Sequence, residues 1–145
     1  MIRYLIDTNV LLYTLDNHDP AKQEKARQTL LHLRNRSNAG VSAQVLAEYA
    51  NITLKKFGMS ADTVYANLEG FTSSFTTYPL SPAVVLEAVR GVRDHRLAYF
   101  DAQIWGVAKL NQIPVILSED FNAGATLEGV KFLNPFEKSF DLTSL

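Results

Sequence analysis

Short apolar segments alternate with amphipathic helical patterns along this chain, and this alternation restricts the fold more than any other feature. Short apolar strands separated by helices favour a parallel sheet that is covered on both faces, so the sequence predicts an α/β fold. The predicted strands are residues 2–6, 39–41, 75–80, 114–117 and 130–133, and the predicted helices are about 8–15, 21–34, 43–57, 61–71 and 98–111, with one more beginning at Pro82.

The helix that begins at Pro82 illustrates the pattern. An apolar stripe at helical spacing indicates the face that packs against the rest of the protein. We expect this helix to bury Val85, Ala88, Val89 and Val92.

Composition excludes several classes of protein. The chain has 145 residues, enough for one domain with a full core, and it contains no cysteine, which excludes disulfides and thiolate metal sites. Its formal net charge of −1 means that nucleic-acid binding would need a local basic patch. No apolar run approaches the roughly 20 residues that span a bilayer, and the N-terminus lacks the pattern of a signal peptide. We therefore expect a cytoplasmic protein without membrane contact.

Two carboxylates follow predicted strands at the point where the strands end. Asp7 interrupts the otherwise apolar run YLIDTNVLLY after the first strand, and Asp120 ends the Ser-Glu-Asp sequence after the strand PVIL. In doubly wound sheets, ligands bind beyond the carboxyl ends of the strands, which makes both acids candidates for a site. The alternatives are a helix N-cap for Asp7 and an ordinary turn for Asp120.

Two further carboxylates lie on helix faces that are otherwise apolar. Glu48 lies in SAQVLAEYANI and Asp101 in LAYFDAQIWGVA, and each shares its face with aliphatic and aromatic side chains. An ionised carboxylate on an inward face costs free energy unless it is paired or bound to a cation. The alternatives are a buried salt bridge or a position at the edge of the face for Glu48, and a first-turn acid favoured by the helix dipole for Asp101.

The four acids together favour a metal site. If they meet in space, their like charges repel and force some of them to take up protons, unless a divalent cation lies between them. Carboxylate and water oxygens suit Mg²⁺ or Mn²⁺, whereas Zn²⁺ would call for histidine or cysteine. The three histidines show no ligand spacing, and we expect them on the surface or in loops.

Four motifs in this order resemble those of the PIN-domain nucleases, and most closely the small VapC-type toxins of toxin–antitoxin pairs. The motifs are LIDTNVLL, SAQVLAEY, LAYFDAQIWGVA and ILSEDFNAG…LNPF, and the resemblance extends from about residue 2 to 136. It implies four catalytic, metal-binding acids and two auxiliary polar residues that steady the site. The implied acids are Asp7, Glu48, Asp101 and Asp120, and the implied auxiliary residues are Asn9 and Ser118.

The resemblance also implies an architecture and a reaction. The expected fold is a three-layer α/β/α sandwich with a mostly parallel five-stranded sheet, in a single nuclease domain (1–136) followed by a C-terminal tail (137–145). The implied reaction is hydrolysis of RNA phosphodiester bonds with Mg²⁺ or Mn²⁺, in which Asp7 and Asp101 hold the principal ion and the other two acids complete the pocket. The implied partners are an RNA substrate, a second copy of the chain and a cognate antitoxin protein. Because the chain offers no histidine pair that would let the RNA's own 2′-hydroxyl attack, we expect 5′-phosphate and 3′-hydroxyl ends.

Other classes of protein fit the sequence less well. A phosphoacceptor receiver domain needs paired acids after its first strand and a lysine after a late one, and a haloacid-type phosphatase needs a second aspartate where this chain has Asn9. A PIN fold that serves only as a binding module conflicts with the complete set of acids. A PIN nuclease of RNA processing stays open, because the sequence does not distinguish it from a toxin.

Overall fold

The computed structural model describes residues 1–121 and 124–145, and within them a six-stranded sheet lies between helices. No helix in these two ranges combines the length and the hydropathy needed to cross a membrane. The strands are β1 (Tyr4–Ile6), β2 (Ala39–Ser42), β3 (Thr76–Tyr78), β4 (Val115–Leu117), β5 (Thr126–Leu127) and β6 (Val130–Leu133). The helices are α1 (Thr8–Tyr13), α2 (Pro20–Arg36), α3 (Ala43–Lys55), α4 (Ala61–Ser74), α5 (Pro82–His95) and α6 (Tyr99–Leu110), and a 3₁₀ turn covers Leu142–Ser144.

The sheet has the strand order β3-β2-β1-β4-β6-β5. All its neighbouring strands are parallel except β5, which is antiparallel to β6. The predicted α/β fold with a mostly parallel sheet is therefore confirmed, and each of the five predicted strands is present. The order reverses at β1 and β4, which is the point where open α/β sheets bind ligands.

The sixth strand, β5, was not predicted. It has two residues, too few to show the alternation by which a sequence indicates a strand. A tight turn at Glu128 and Gly129 joins it to β6, and both turn residues have positive φ, 49° and 83°. Such backbone angles are those of a two-residue β-hairpin turn, so β5 and β6 form a hairpin at the edge of the sheet.

The core lies against both faces of the sheet and is deepest around β1, β4 and α6. Every residue of β1 and β4 is buried, as expected for central parallel strands covered by helices. Helix α6 is buried without interruption from Ala102 to Ala108. The carboxyl ends of β1 and β4 are therefore held in a rigid, close-packed frame.

The predicted apolar stripe of α5 was correct at Ala88 and wrong at Val89 and Val92. The buried residues of this helix are Val84, Ala88 and Gly91, whereas Val89 and Val92 are 53% and 38% exposed. A Cβ atom at Gly91 would lie 2.8 Å from ring carbons of Trp105. The glycine lets α5 approach the indole of α6 closely, and this contact turns the helix away from the expected face.

The end of the chain packs onto the body of the protein. Leu145 is 4% exposed and belongs to the hydrophobic core, and its carbonyl oxygen lies 3.3 Å from Nε2 of His32 on α2. Phe136 lies edge-on to Tyr13 with ring centroids 4.9 Å apart. The division of the chain into a domain and a tail after residue 136 stays a prediction.

Candidate metal centre

The adjacent strands β1 and β4 bring the first two site residues together. Asp7 follows β1 directly, and its N–H donates to the carbonyl of Leu117 at the end of β4 (3.0 Å). Ser118 follows β4 directly, and its hydroxyl donates to Oδ2 of Asp7 (2.6 Å). The strand order thus places side chains 111 positions apart in hydrogen-bond contact.

Asp7 is also the N-cap of α1. Its Oδ1 accepts a hydrogen bond from the N–H of Thr8 (2.7 Å). The capping role that the sequence suggested is therefore present. Capping leaves other acceptor positions of the carboxylate available, because its two oxygens offer about four in total.

Three acids form a cluster at this edge of the sheet. Asp7, Asp101 and Asp120 each offer a carboxylate oxygen, and the three oxygens lie within 4.8 Å of one another. Asp7 is buried, Asp101 is half-buried in the first turn of α6, and Asp120 is exposed in the loop after β4. Within the described ranges, every ion pair involves other acids, so no lysine, arginine or histidine neutralises this cluster.

None of the described residues is a structural partner that would explain the position of Asp101. The N-cap of α6 is Ala98, which makes no side-chain cap, and no hydrogen bond among the described residues contributes to the environment of the Asp101 carboxylate. An acid in the first turn of a helix is favoured by the helix dipole, which accounts for its charge being tolerated. It does not account for a half-buried carboxylate that faces two others.

The negative charges of the cluster are not compensated by a positive charge among the described residues, and the pKa values of Asp7 and Asp101 are raised. Burial raises the pKa of Asp7 to about 7, and the charges of Asp120 and Asp101 add to this rise, whereas the hydrogen bonds from Ser118 and Thr8 oppose it. The pKa of Asp101 is raised by burial and then by the charges of Asp120 and Glu48. A divalent cation between the carboxylates would reverse these shifts, because it favours their ionised forms.

Glu48 lies beside the cluster rather than within its 4.8 Å group. It is half-buried on α3, where one carboxylate oxygen accepts from the hydroxyl of Thr8 (2.9 Å) and the other from the amide of Gln44 (2.5 Å). The salt bridge to an arginine that the sequence left open does not occur within the described ranges. Glu48 is near enough for its charge to raise the pKa of Asp101, and its role as a metal ligand stays a prediction.

The two auxiliary residues hold the loop that carries Asp120. The hydroxyl of Ser118 accepts from the N–H of Asp120 (3.1 Å) and from the amide of Asn9 (3.5 Å). The amide oxygen of Asn9 in turn accepts from the N–H of Glu119 (3.4 Å). Both side chains therefore fix the loop relative to α1, and their auxiliary role in the reaction stays a prediction.

Two residues that the sequence did not single out, Tyr13 and Lys22, hold the same loop through Glu119, and we call these three residues the Glu119 clamp. Lys22 forms an ion pair with Glu119, the hydroxyl of Tyr13 donates to Glu119 (2.5 Å), and the ammonium of Lys22 donates to that hydroxyl (3.2 Å). The ammonium also lies 4.5 Å from the centroid of the Tyr13 ring. Nothing local in the sequence indicates this contact, because the lysine begins α2 and the glutamate follows β4.

The fold and the acid cluster define a PIN-like domain, a three-layer α/β domain with a carboxylate site at the switch point of its parallel sheet. A family model of the PIN domain matches residues 4–126, and the chain therefore belongs to the PIN domain family. The resemblance inferred from the four motifs is confirmed at this level. A comparison with curated protein sequences gave no significant match.

Solved structures with the same fold include toxins of toxin–antitoxin pairs. A toxin–antitoxin complex from Klebsiella pneumoniae contains a chain of 20% identity and TM-score 0.67, with 92% of this chain and 98% of that chain covered. VapBC2 from Rickettsia felis, bound to a DNA fragment from its promoter, gives 17% identity and TM-score 0.65 over 92% and 98%. VapC20 from Mycobacterium tuberculosis, a toxin that cleaves the sarcin–ricin loop, gives 14% identity and TM-score 0.65 over 88% and 98%. At these identities the likeness establishes the fold.

Proposed function

We propose that this protein is an endoribonuclease dependent on Mg²⁺ or Mn²⁺, and that it acts as the toxin of a type II toxin–antitoxin pair. One observation carries the proposal: Asp7, Asp101 and Asp120 present oxygens within 4.8 Å of one another, and no cation within the described ranges pairs with them. Membership in the PIN domain family supports the nuclease activity. The toxin role is supported by the structural neighbours from Klebsiella pneumoniae and Mycobacterium tuberculosis.

The residues present fit a hard divalent cation. All three cluster ligands are carboxylates, and oxygen ligands of this kind select Mg²⁺ or Mn²⁺ over softer metals. In the proposed site Asp7, Asp101 and Asp120 hold the ion, and Glu48 completes the pocket directly or through water. A bound ion would supply a Lewis acid that lowers the pKa of water and neutralises charge on the phosphoryl oxygens.

The protein's own contribution is to orient the carboxylates before RNA arrives. The hydrogen bonds from Ser118 and Thr8 fix both oxygens of Asp7, and Thr8 also fixes one oxygen of Glu48. Asp120 is exposed, so it marks the side from which an RNA strand reaches the cluster. Preorganised charges of this kind stabilise a transition state without reorganisation during the reaction.

Hydrolysis by water follows from the chemistry of the cluster. Within the described ranges no histidine belongs to it, so the acid–base pair that would activate a 2′-hydroxyl is missing from these residues. Attack by water leaves a 5′-phosphate and a 3′-hydroxyl. An antitoxin protein belongs to the proposal as a partner, supported by the VapBC2 structure from Rickettsia felis. A second copy of the chain belongs to it because of the family resemblance.

The direct test is an RNA cleavage assay on the purified protein with Mg²⁺, Mn²⁺ or EDTA. We expect cleavage that depends on the ion and that the Asp101→Asn variant loses by at least about 100-fold, since metal-ligand loss removes several kcal/mol of transition-state stabilisation. The matched control is Asp62→Asn, an exposed first-turn acid of α4, which should leave cleavage unchanged. Equal cleavage in EDTA, or full activity of Asp101→Asn, would disprove the proposed reaction.

The toxin role needs a separate test in cells. We expect growth arrest when this chain is expressed alone, and relief when the gene next to it is expressed with it. Growth arrest should be absent with Asp101→Asn, because arrest depends on cleavage. Normal growth with the active protein would refute the toxin role while leaving the nuclease activity to stand, and would favour a function in RNA processing.

A further inference from the structure

A cavity of about 730 Å³ opens beside the acid cluster, between the end of α1 and the end of α3. Its volume lies within the roughly 300–1,000 Å³ typical of small-ligand sites. Asn9 belongs both to the wall of this cavity and to the hydrogen bonds that hold Ser118 and Glu119. Asn9 therefore connects the wall of this cavity to the loop that carries Asp120.

The part of the wall that follows α3 combines an aromatic ring with a cation. Phe57 is 47% exposed despite its apolar ring. Its neighbour Lys56 is exposed, and within the described ranges it forms no ion pair. Asp16, Asn17 and His18 add hydrogen-bonding groups to the wall.

This combination suits one class of ligand. Proteins recognise single-stranded RNA by stacking splayed bases on aromatic rings and by hydrogen bonds to the base edges, and a nearby cation binds the backbone. The formal net charge of the chain is −1, so binding of an RNA strand needs a local cation on the surface beside the site. Lys56 is placed to supply it.

We propose that this cavity, the Phe57 cleft, receives an unstacked base of single-stranded RNA next to the phosphate at the acid cluster, with Phe57 as the stacking surface and Lys56 bound to the backbone. This inference rests on the proposed nuclease function and names the form of its substrate. The shared Asn9 and the exposed cation Lys56 favour RNA over a partner protein, because the strand that is cleaved must lie against the residues beside the acids. Asn17 and His18 are then placed to read the edge of the base.

The test measures binding separately from cleavage. The Asp101→Asn protein is titrated into a fluorescent single-stranded RNA oligonucleotide that the wild type cleaves, in Mg²⁺ and at several salt concentrations, and anisotropy gives the Kd. In the Asp101→Asn protein, the further substitution Phe57→Leu should weaken RNA binding about 5- to 100-fold, as loss of one stacked base does. Added Lys56→Gln should weaken it less and reduce the slope of log Kd against log salt by about 0.7, as loss of one phosphate contact to a single strand does.

The chain offers a matched control for each change. Lys55 is exposed and adjacent to Lys56, and Tyr65 is a 67% exposed aromatic on α4, yet neither lines the cleft. Lys55→Gln and Tyr65→Leu should leave the Kd and the salt slope unchanged. Phe57→Tyr should restore binding, and thermal melting of every variant verifies that it is folded.

The outcomes separate this inference from the function on which it rests. If the wild type does not cleave RNA with either metal, the proposed function fails. If it cleaves, and the Phe57 and Lys56 variants bind RNA as their controls do, the Phe57 cleft is not an RNA site and only this inference fails. If those variants bind RNA normally but resist inhibition by the antitoxin, the cleft belongs to the protein partner, and the proposal is overturned in its favour.

Discussion

Replacing Asp7 by asparagine should make the metal-free protein more stable while it abolishes cleavage. Asp7 is 6% exposed, and burial with two neighbouring carboxylates raises its pKa from 3.8 to about 7. Holding this group ionised at neutral pH therefore costs free energy that an uncharged amide of the same shape does not. A residue that served only as a helix cap would show little change in stability, because asparagine caps a helix about as well as aspartate does.

The magnitude follows from the pKa of Asp7 and its hydrogen bonds. The rise from 3.8 to about 7 corresponds, at about 1.4 kcal/mol per pKa unit, to at most about 4 kcal/mol near pH 7. The amide keeps an acceptor for the N–H of Thr8, but its NH₂ group replaces the oxygen to which Ser118 donates. Loss of that hydrogen bond costs about 1 kcal/mol. We expect a net gain of about 1–3 kcal/mol, which for a chain of this size raises Tm by roughly 3–9 °C.

The pH dependence gives the sign of the effect independently. A carboxyl whose pKa is higher in the folded than in the unfolded state binds more protons when the protein is folded. Its contribution to the free energy of unfolding is therefore fully present below pH 3.8, and it is lost as the pH rises through about 7. The advantage of Asp7→Asn should therefore be largest above pH 7 and disappear toward pH 4. Added Mn²⁺ should reduce the difference in stability between the variant and the wild type, because the ion binds the folded wild type more tightly and stabilises it more.

Thermal denaturation followed by circular dichroism, in EDTA and in Mn²⁺ from pH 4.5 to 8, measures all three effects. Asp62→Asn on the surface of α4 is the control and should change Tm by less than about 2 °C, as exposed substitutions do. The reasoning is refuted if Asp7→Asn melts below the wild type in EDTA at pH 7.5. Retained RNA cleavage by that variant would show in addition that the reaction does not need the negative charge of Asp7.

Three further predictions concern the RNA ends, the Glu119 clamp and the packing of α5. RNA fragments should carry 5′-phosphate and 3′-hydroxyl ends, and 2′,3′-cyclic phosphate ends, detected by mass spectrometry, would contradict attack by water. Glu119→Gln removes the charge that holds the Glu119 clamp and loosens the loop of Asp120. The kcat for RNA cleavage should therefore fall about 10-fold with little change in Tm, as for a displaced catalytic group. An unchanged kcat would limit the clamp to a structural role. Gly91→Ala should lower Tm, because its Cβ meets Trp105 at 2.8 Å, whereas Gly70→Ala, with open space around it, should raise stability by up to about 1 kcal/mol. Melting curves that rank these two variants in the reverse order would disprove the packing argument.

The sequence predicted the part of the structure that depends on local pattern. The buried runs of β1 and β4 are readable because central parallel strands are apolar on both faces. Once those strands are parallel neighbours, acids that follow them must lie at one edge of the sheet. The observed approach of Asp7 and Asp120, with Asp101 from the start of α6, is the geometry that this argument requires.

The features that escaped prediction depend on contacts between distant segments. The buried face of α5 is set by the fit of Gly91 against Trp105, and a glycine adds nothing to an apolar stripe. The Glu119 clamp joins α2 to the loop after β4, and opposite charges far apart in sequence carry no mark of their pairing. Strand β5 is held by its pairing with β6 and by the turn at Glu128, because two residues have no pattern of their own.

The two interpretations of Asp7 that compete in the sequence coexist in the structure, and Thr8 explains how. The N–H of Thr8 binds the Asp7 carboxylate and its hydroxyl binds Glu48, so the first residue of α1 holds two acids from different elements in fixed positions. The cap therefore does not withdraw Asp7 from a metal site; it orients the carboxylate toward Asp101 and Asp120. Orientation of this kind keeps like charges close and costs stability in the metal-free protein, which is the cost that Asp7→Asn removes. A site built only for stability would have replaced one of these acids by a neutral group or an arginine, and within the described ranges the chain does neither.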